Sequence, residues 1–324
     1  MPYKLKESVR HKFTKASYRL KNWSTYNASL KARGSLTIWF SEEAIAAWNT
    51  PVSSGRRGRR KRYSDIAITT SLSLKLVYRL GLRQTEGLIS SIIALMGINL
   101  RSPDYTTISR RSSLVEVKKL HPRNTSDGVV IMIDSTGLKL YGEKEWCVHK
   151  HGGNSLRRSW RKLHLSIDDT GHIHSSELTT LHESDDSQVS PLLDAVTVPI
   201  VKIIADGGYN TTTVESYVRE RAPENKPDIV IPPNKNTKLS SLDQPSIQDQ
   251  HIIAIREQGR QRWQKETGYN RRSKVENAMY RYKTIIGRKM SARTIETQKT
   301  ESKIAVFVLN TMTALGMPVA TKTA

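Results

Sequence analysis

The sequence predicts an α/β protein: a mixed sheet with flanking helices, preceded by a mainly helical N-terminal region. Three observations carry that expectation. Apolar residues recur at helical spacing between Ser64 and Leu120, short apolar runs bounded by turn residues take over from Gly128, and strand-like and helix-like segments then alternate. With 324 residues the chain has length for about two domains.

Residues 1–63 read as a basic region ending in a linker. The first 62 residues hold fifteen Lys or Arg against three Glu, which is more than half of the net charge of +22. That charge peaks at Arg56, Arg57, Arg59, Arg60, Lys61 and Arg62, interleaved with glycines and preceded by Pro51, Ser53 and Ser54, as expected of a flexible cationic segment that follows phosphates. So one-sided a balance points to a polyanionic partner, above all double-stranded DNA, and away from neutral metabolites. A membrane does not fit, because the longest apolar stretch, Leu88 to Leu100, is interrupted by Ser and Gly and is shorter than the about 20 residues a spanning helix needs. No apolar run follows the N-terminal charges, and the single cysteine, Cys147, permits no intramolecular disulfide, so a cytoplasmic protein is expected.

Residues 64–125 form the helical region. Helices are expected over Ile66–Leu80, Glu86–Met96 and Tyr105–Leu114, with Gly81 and Gly97 as stops, Thr85 as a cap for the second, and Ser102-Pro103-Asp104 opening the third. The arrangement is helix-turn-helix-like and would offer Thr106, Thr107, Ser109, Arg110 and Arg111 to a DNA groove. A plain packing module with a polar face is the simpler alternative.

Residues 126–324 form the α/β domain. Val129 to Ile133 is a buried strand expected to end at Asp134, and Lys162–Ile167 and His172–Thr179 flank the turn Asp168-Asp169-Thr170-Gly171 as a hairpin. A helix (Ser184–Val196), a strand (Val201–Ala205) leading into Asp206, a helix (Thr211–Glu220) and a strand (Asp228–Ile231) follow. A polar insertion at about 232–265 precedes helices over about Arg271–Ile286 and Thr294–Met317. Three antiparallel strands followed by parallel ones through crossover helices is the order of a ribonuclease H-like domain.

In that order three carboxylates stand out: Asp134 after the first strand, Asp206 after the fourth and Glu276 on the helix beyond the insertion, 72 and 70 residues apart. If the first and fourth strands are neighbours, both aspartates leave the same end of the sheet and the glutamate can complete the group. Carboxylates so gathered suit hard divalent cations, and two ions about 4 Å apart stabilise the attacking and leaving oxygens of an in-line phosphoryl displacement. Tyr269, Arg272, Glu276 and Lys283 are separated by three, four and seven residues, so Arg272, Glu276 and Lys283 share a helix face. A surface salt-bridge ladder is the alternative reading of Arg272 and Glu276.

Tyr269-x-x-Arg272-x-x-x-Glu276-x-x-x-x-x-x-Lys283 resembles the Y-R-E-K signature of insertion-sequence DDE transposases. Asp134-Ser135-Thr136-Gly137, Arg158 to Leu165 and Asp206-Gly207-Gly208-Tyr209 are similar to the two aspartate regions of that group. Gly34 to Phe40 and Leu82 to Gly87 resemble the insertion-sequence five family, so the likeness spans nearly the whole chain. The resemblance implies a bacterial, nucleoid-associated enzyme that binds terminal inverted repeats, hydrolyses a strand at each end and joins the freed 3′-hydroxyl to target DNA. It further implies two Mg²⁺ ions, replaceable by Mn²⁺, with Asp134 bridging them and Asp206 and Glu276 each holding one. Tyr269, Arg272 and Lys283 would contact phosphates, and pairing two ends would need a homodimer or higher oligomer on DNA. No tryptophan follows the second aspartate. Tyr209 is the nearest aromatic, and a packing role is expected of it rather than base flipping.

The alternation of Cys147, His149 and His151 offers three ligands to zinc but no fourth nearby. A DNA-facing segment fits better, given Lys144, Lys150, Arg157, Arg158, Arg161 and Lys162 around it, while Trp146 and Trp160 are expected to pack rather than stack on bases. Asp168-Asp169 and Asp185-Asp186 are rival acidic pairs explained by a turn and a helix start. A non-catalytic DNA-binding protein, such as a repressor or a domesticated transposase, is the second functional reading, and the intact acids speak against it.

Overall fold

The computed structural model describes residues 17–50, 62–117, 120, 128–140, 160–209, 212–221, 226–234 and 236–323. β1 (Ser17–Leu20) pairs antiparallel with the final strand, β8 (Ala320–Thr323), bringing the two ends of the described chain together. The stretch marked in the sequence by its charge carries α1 (Trp23–Ala32), α2 (Leu36–Trp39) and α3 (Glu42–Ala46). Its Trp39, Phe40 and Trp48 are buried, whereas Tyr18 and Trp23 are exposed. Phe40 and Trp48 meet edge to face at 5.1 Å, and the Trp48 indole donates to the Arg101 carbonyl at 2.9 Å.

The three expected helices exist as α4 (Asp65–Val77), α5 (Leu82–Leu95) and α6 (Tyr105–Arg111). Ser64 caps α4 by accepting from Ala67 N–H, and Asp104 caps α6 by accepting from Thr107 N–H at 2.8 Å. Two expectations need correction. Thr85 does not cap α5, which starts a turn earlier because the Gln84 side chain receives the Gly81 amide at 2.8 Å; Thr85 is buried inside the helix and donates to the Gly81 carbonyl. Nor does Gly81 stop α4, whose last turn closes through Leu80 N–H to Lys75 C=O. Gly97, with φ +64°, does end α5.

The sheet is built on β2 (Val129–Leu140). β3 (Trp160–Ile167) pairs antiparallel with β2, and β4 (Ile173–Thr180) pairs antiparallel with β3. On the other side β5 (Ile200–Ile204) and then β6 (Asp228–Val230) run parallel, and the short β7 (Lys289–Met290) joins β2 in parallel at Lys139 and Leu140. Antiparallel and parallel pairings therefore fall where the segment order places them, with the first and fourth strands of the domain side by side. Asp134 does not end its strand, contrary to expectation. β2 continues to Leu140 because β3 pairs with it from Met132 to Lys139; what stops near Asp134 is the parallel neighbour, whose last paired residue, Ile204, lies opposite Met132.

Alternation along β2 divides the core. Val129, Ile131 and Ile133 pack with α7 (Val189–Asp194) and α8 (Thr212–Arg221) on one face. Met132, Leu138, Leu163 and Leu165 face α11 (Ser273–Arg281) and α12 (Ile295–Leu315) on the other, within one apolar cluster that also takes in residues of α4 to α6. The outer edge at β4 is held to α12 by Asn310, whose side chain exchanges two hydrogen bonds with the Ile173 backbone at 2.8 and 2.9 Å. The segment read as a polar insertion carries two helices, α9 (Ile247–Gln258) and α10 (Arg260–Glu266), anchored by buried Ile252 and Trp263. Ser246 and Asp249 form a capping box at the start of α9. The helix expected over Arg271–Ile286 is three pieces: a 3₁₀ turn (Tyr269–Arg272), α11, and a π turn (Tyr282–Ile286).

Candidate active site

The register of the parallel pair places two acids level with each other. Met132 lies opposite Ile204, so Asp134 and Asp206, each two residues on, come to the point where β5 has ended and β2 runs on. Beyond the end of β5, among the described residues, no strand pairs with this side of β2 until β7 joins at Lys139, and that gap forms the cleft. The Asp206 turn is set by short-range contacts, since its carboxylate accepts from Gly208 N–H at 2.9 Å and its carbonyl from Tyr209 N–H at 3.1 Å. Gly207 is required at this point because a Cβ would sit 2.8 Å from Asn234 Oδ1 and 3.1 Å from the Pro232 carbonyl. Tyr209 is almost fully buried in the apolar core behind the sheet, in keeping with packing and not with base flipping.

Glu276 reaches the cleft from α11. Arg272 stands between it and β2: one guanidinium nitrogen donates to Asp134 Oδ2 at 2.6 Å, the other to Glu276 Oε1 at 2.5 Å. Their side chains are only 13%, 15% and 29% exposed, so this is a partly buried clamp and more than a surface ladder. Burial lifts the Asp134 pKa to about 6, with the Asp206 and Glu276 charges adding to the rise and Arg272 opposing it. Burial also works against the Arg272 charge, but Asp134, Tyr269 and Glu276 outweigh it and hold the guanidinium more firmly protonated than usual.

Tyr269 and Lys283 complete the surroundings. Tyr269 lies 5.4 Å from the buried Trp263 ring and under the Arg272 guanidinium at 5.9 Å. Trp263 is itself fixed, its indole donating to His251 Nδ1 at 3.2 Å while His251 Nε2 donates to the Ile229 carbonyl at 2.9 Å. Lys283, on the π turn, donates to Thr136 Oγ1 at 2.6 Å, two residues beyond Asp134 on the same side of β2. Sequence reasoning names Thr136 beside Asp134 and Asp169 in the hairpin turn but misses their partners: Thr136 receives Lys283, and Asp169 pairs with Lys274 at 2.8 Å and Arg271 at 3.2 Å, bracing the start of α11.

Among the described residues no three His, Cys, Asp or Glu side chains converge closely enough to hold an ion. The donor chemistry nevertheless suits a hard divalent cation. One guanidinium spans Asp134 and Glu276, the charges of Asp206 and Glu276 both act on Asp134, and burial disfavours the Asp134 charge.

The remaining sequence candidates lie elsewhere. Arg56, Arg57, Arg59, Arg60 and Lys61 fall outside the described residues, as do Cys147, His149 and His151, together with Lys144, Trp146, Lys150, Arg157 and Arg158. Arg62 is exposed beside the Tyr63 ring, and Arg110 is exposed on α6. Arg111 is turned inward, bound to Asp65 and to the Tyr63 carbonyl. Arg161 donates to Gln298 Oε1 at 2.9 Å, while Lys162 donates to the Glu183 carbonyl at 3.0 Å and pairs with Asp185 at 3.3 Å. Trp160 packs over Gly137 and lies 5.3 Å from Lys139 Nζ. Asp168 is buried and tied to its own turn and to His174 at 3.0 Å.

A mixed six-stranded sheet in this order, with three antiparallel strands continued by parallel ones, has the layout of a ribonuclease H-like domain. Two family models, both described as a transposase DDE domain, match the chain over residues 31–143 and 125–311. The second covers more than half of the sequence, and the protein belongs to the family of transposase DDE domains. Membership implies an enzyme of the nuclease and transposase type that acts on DNA with divalent metal ions. No helix among the described residues is long and apolar enough to cross a membrane.

Proposed function

We propose that the protein is an insertion-sequence transposase of the five family, bearing the Y-R-E-K signature. It binds the terminal inverted repeats of its element, cuts a strand at each end and joins the 3′-hydroxyl ends to target DNA as a dimer or larger assembly. The observation that carries this reading is the cleft shared by Asp134, Asp206 and Glu276, with Arg272 joining Asp134 and Glu276 across it.

In this reading Asp134, Asp206 and Glu276 hold two Mg²⁺ ions, or Mn²⁺ in their place. The ions would supply Lewis-acid charge at the phosphate and a water of lowered pKa. The chain's own groups do the rest. Arg272, held between Asp134 and Glu276, would turn its planar fork to two phosphate oxygens beside the scissile bond. Lys283 adds a second positive charge next to β2, and the Tyr269 hydroxyl, on a ring held by Trp263, donates to the neighbouring phosphate. Water attacks the phosphorus in line, and the 3′-oxygen leaves and takes up a proton; that 3′-hydroxyl then attacks a target-DNA phosphorus, losing its proton as the P–O3′ bond of the target strand breaks and the displaced target 3′-oxygen is protonated. Exposed Arg62 and Arg110, with Arg56, Arg57, Arg59, Arg60 and Lys61, follow the DNA backbone. Arg161 and Lys162 support the β3 side of the cleft through Gln298 and Asp185. The domains proposed are a basic region (1–63), a DNA-binding helical region (64–125) and a catalytic domain (126–324).

Supercoiled or terminal-repeat DNA incubated with Mg²⁺ or Mn²⁺ tests the reading. Wild type cuts at the repeat ends, and Asp134→Ala binds the same DNA without cutting it. Equal cutting by both proteins overturns the acid mechanism, and tight binding with no cutting by either points to a non-catalytic DNA-binding protein.

A further inference from the structure

Arg79 is the one non-glycine residue with positive φ among the described residues, at +54°. It sits just beyond α4, where Leu80 N–H bonds back to the Lys75 carbonyl and Arg79 N–H to the Leu76 carbonyl. This double closure is the Schellman ending, whose left-handed position is normally filled by glycine because any Cβ is strained there. An arginine at such a place calls for a compensating use of its side chain.

That use is visible in the structure. The Arg79 guanidinium donates to the carbonyls of Thr284 at 2.7 Å and Ile285 at 3.2 Å. Both belong to the π turn Tyr282–Ile286, and the last carbonyls of a helix have no amide ahead of them to receive. A cation there also complements the negative end of the helix. From the same turn of α4, Lys75 donates to Ser291 Oγ at 2.6 Å, so α4 holds the chain on both sides of β7. A π turn departs from α-helical register, so the direction of the residues it carries depends on what holds it open. One of those residues is Lys283, whose ammonium lies on Thr136 beside Asp134.

We propose that Arg79 is a positioning residue: by capping the π turn it aims Lys283 into the cleft, coupling the helical N-terminal region to the chemistry. This rests on the reading of Lys283 as a phosphate contact. The test is a double-variant cycle in single-turnover cleavage of terminal-repeat DNA at saturating protein, using Arg79→Gly, Lys283→Ala and the two combined. Glycine removes the guanidinium and also the backbone strain, so the melting temperature holds or rises. Cleavage slows about tenfold or more, DNA affinity stays within about threefold, and the double variant is no slower than Lys283→Ala alone. Arg79→Lys, which can reach one carbonyl only, falls between wild type and Arg79→Gly; should the glycine variant not fold, the lysine variant completes the same cycle. Wild-type cleavage by Arg79→Gly, or losses that multiply in the double variant, overturns the role of Arg79 while leaving that of Lys283 standing. Undiminished cleavage by Lys283→Ala removes the reading on which the inference rests, and the inference with it.

Discussion

Two sides of the cleft hold their carboxylates by different means. Asp134 and Glu276 are 142 residues apart in sequence and are joined by one guanidinium, a long-range clamp of three charges. Asp206 is instead held by backbone, in a turn whose glycines fit where side chains cannot. A clamp made of charge can open when another cation arrives, whereas a turn made of backbone keeps its place. One side of the site is thus held by backbone hydrogen bonds and the other by charge.

Removing the clamp gives the largest effect. Arg272→Ala leaves two partly buried carboxylates without their shared cation and lowers stability by about 3 kcal/mol, measured by urea denaturation. It slows cleavage about 100-fold or more. Arg272→Lys recovers part of the stability and little of the cleavage, because an ammonium cannot bridge two groups as a planar fork does. Recovery of both by lysine would mean that charge alone matters here.

Burial of Asp134 within the clamp also imposes a pH dependence, which Arg272 reduces but does not cancel. The Asp134 pKa is raised from 3.8 to about 6, so its protonated form stabilises the metal-free fold fully below the unfolded value, and that contribution is lost as pH rises through about 6. Asp134→Asn does not titrate and escapes the loss. Its stability relative to wild type therefore grows by about 2.5 kcal/mol between about pH 4 and about pH 7.5. A gap that stays constant with pH would place Asp134 in a fully compensated site.

On the backbone side, Gly207→Ala pushes a Cβ against Asn234 and the Pro232 carbonyl. The side chain can shift but the carbonyl cannot, so a loss of about 1–2 kcal/mol is expected, with cleavage about tenfold slower. An alanine protein of unchanged activity would show that the turn has slack. The smallest effect belongs to the exposed brace: Asp169→Ala costs below about 1 kcal/mol and changes cleavage less than about threefold, because Asp169 and Lys274 are 37% and 42% exposed.

The same contrast governs what could be read from sequence. Local features were legible: the apolar run Val129–Ile133, the hairpin around Asp168 to Gly171, the Asp104 cap and the helical spacing of Arg272 and Glu276. Strand order followed from the alternation of segments, and with it the neighbouring of β2 and β5. Features decided by distant partners were not legible. β2 runs past Asp134 because β3 and β7 pair with it, and neither contact leaves a mark at residues 134–140. Lys283 is expected on the Glu276 face, but it lies on a π turn and bonds to Thr136, and the distant Arg79 donates to the carbonyls of that turn. Arg111 looked like a groove-facing cation and is instead bound to Asp65, since charge in a sequence does not reveal which ion pairs close in three dimensions.

In the proposed mechanism Asp134, Asp206 and Glu276 serve a single metal site, although charge holds two of them and backbone the third. Titration of the DNA-free protein with Mn²⁺, followed by electron paramagnetic resonance, tests it most directly. Wild type is expected to bind Mn²⁺ saturably, with affinity weakened by about tenfold or more in each of Asp134→Ala, Asp206→Ala and Glu276→Ala. Wild-type affinity in any one of the three variants would remove that residue from the site and contradict the claim.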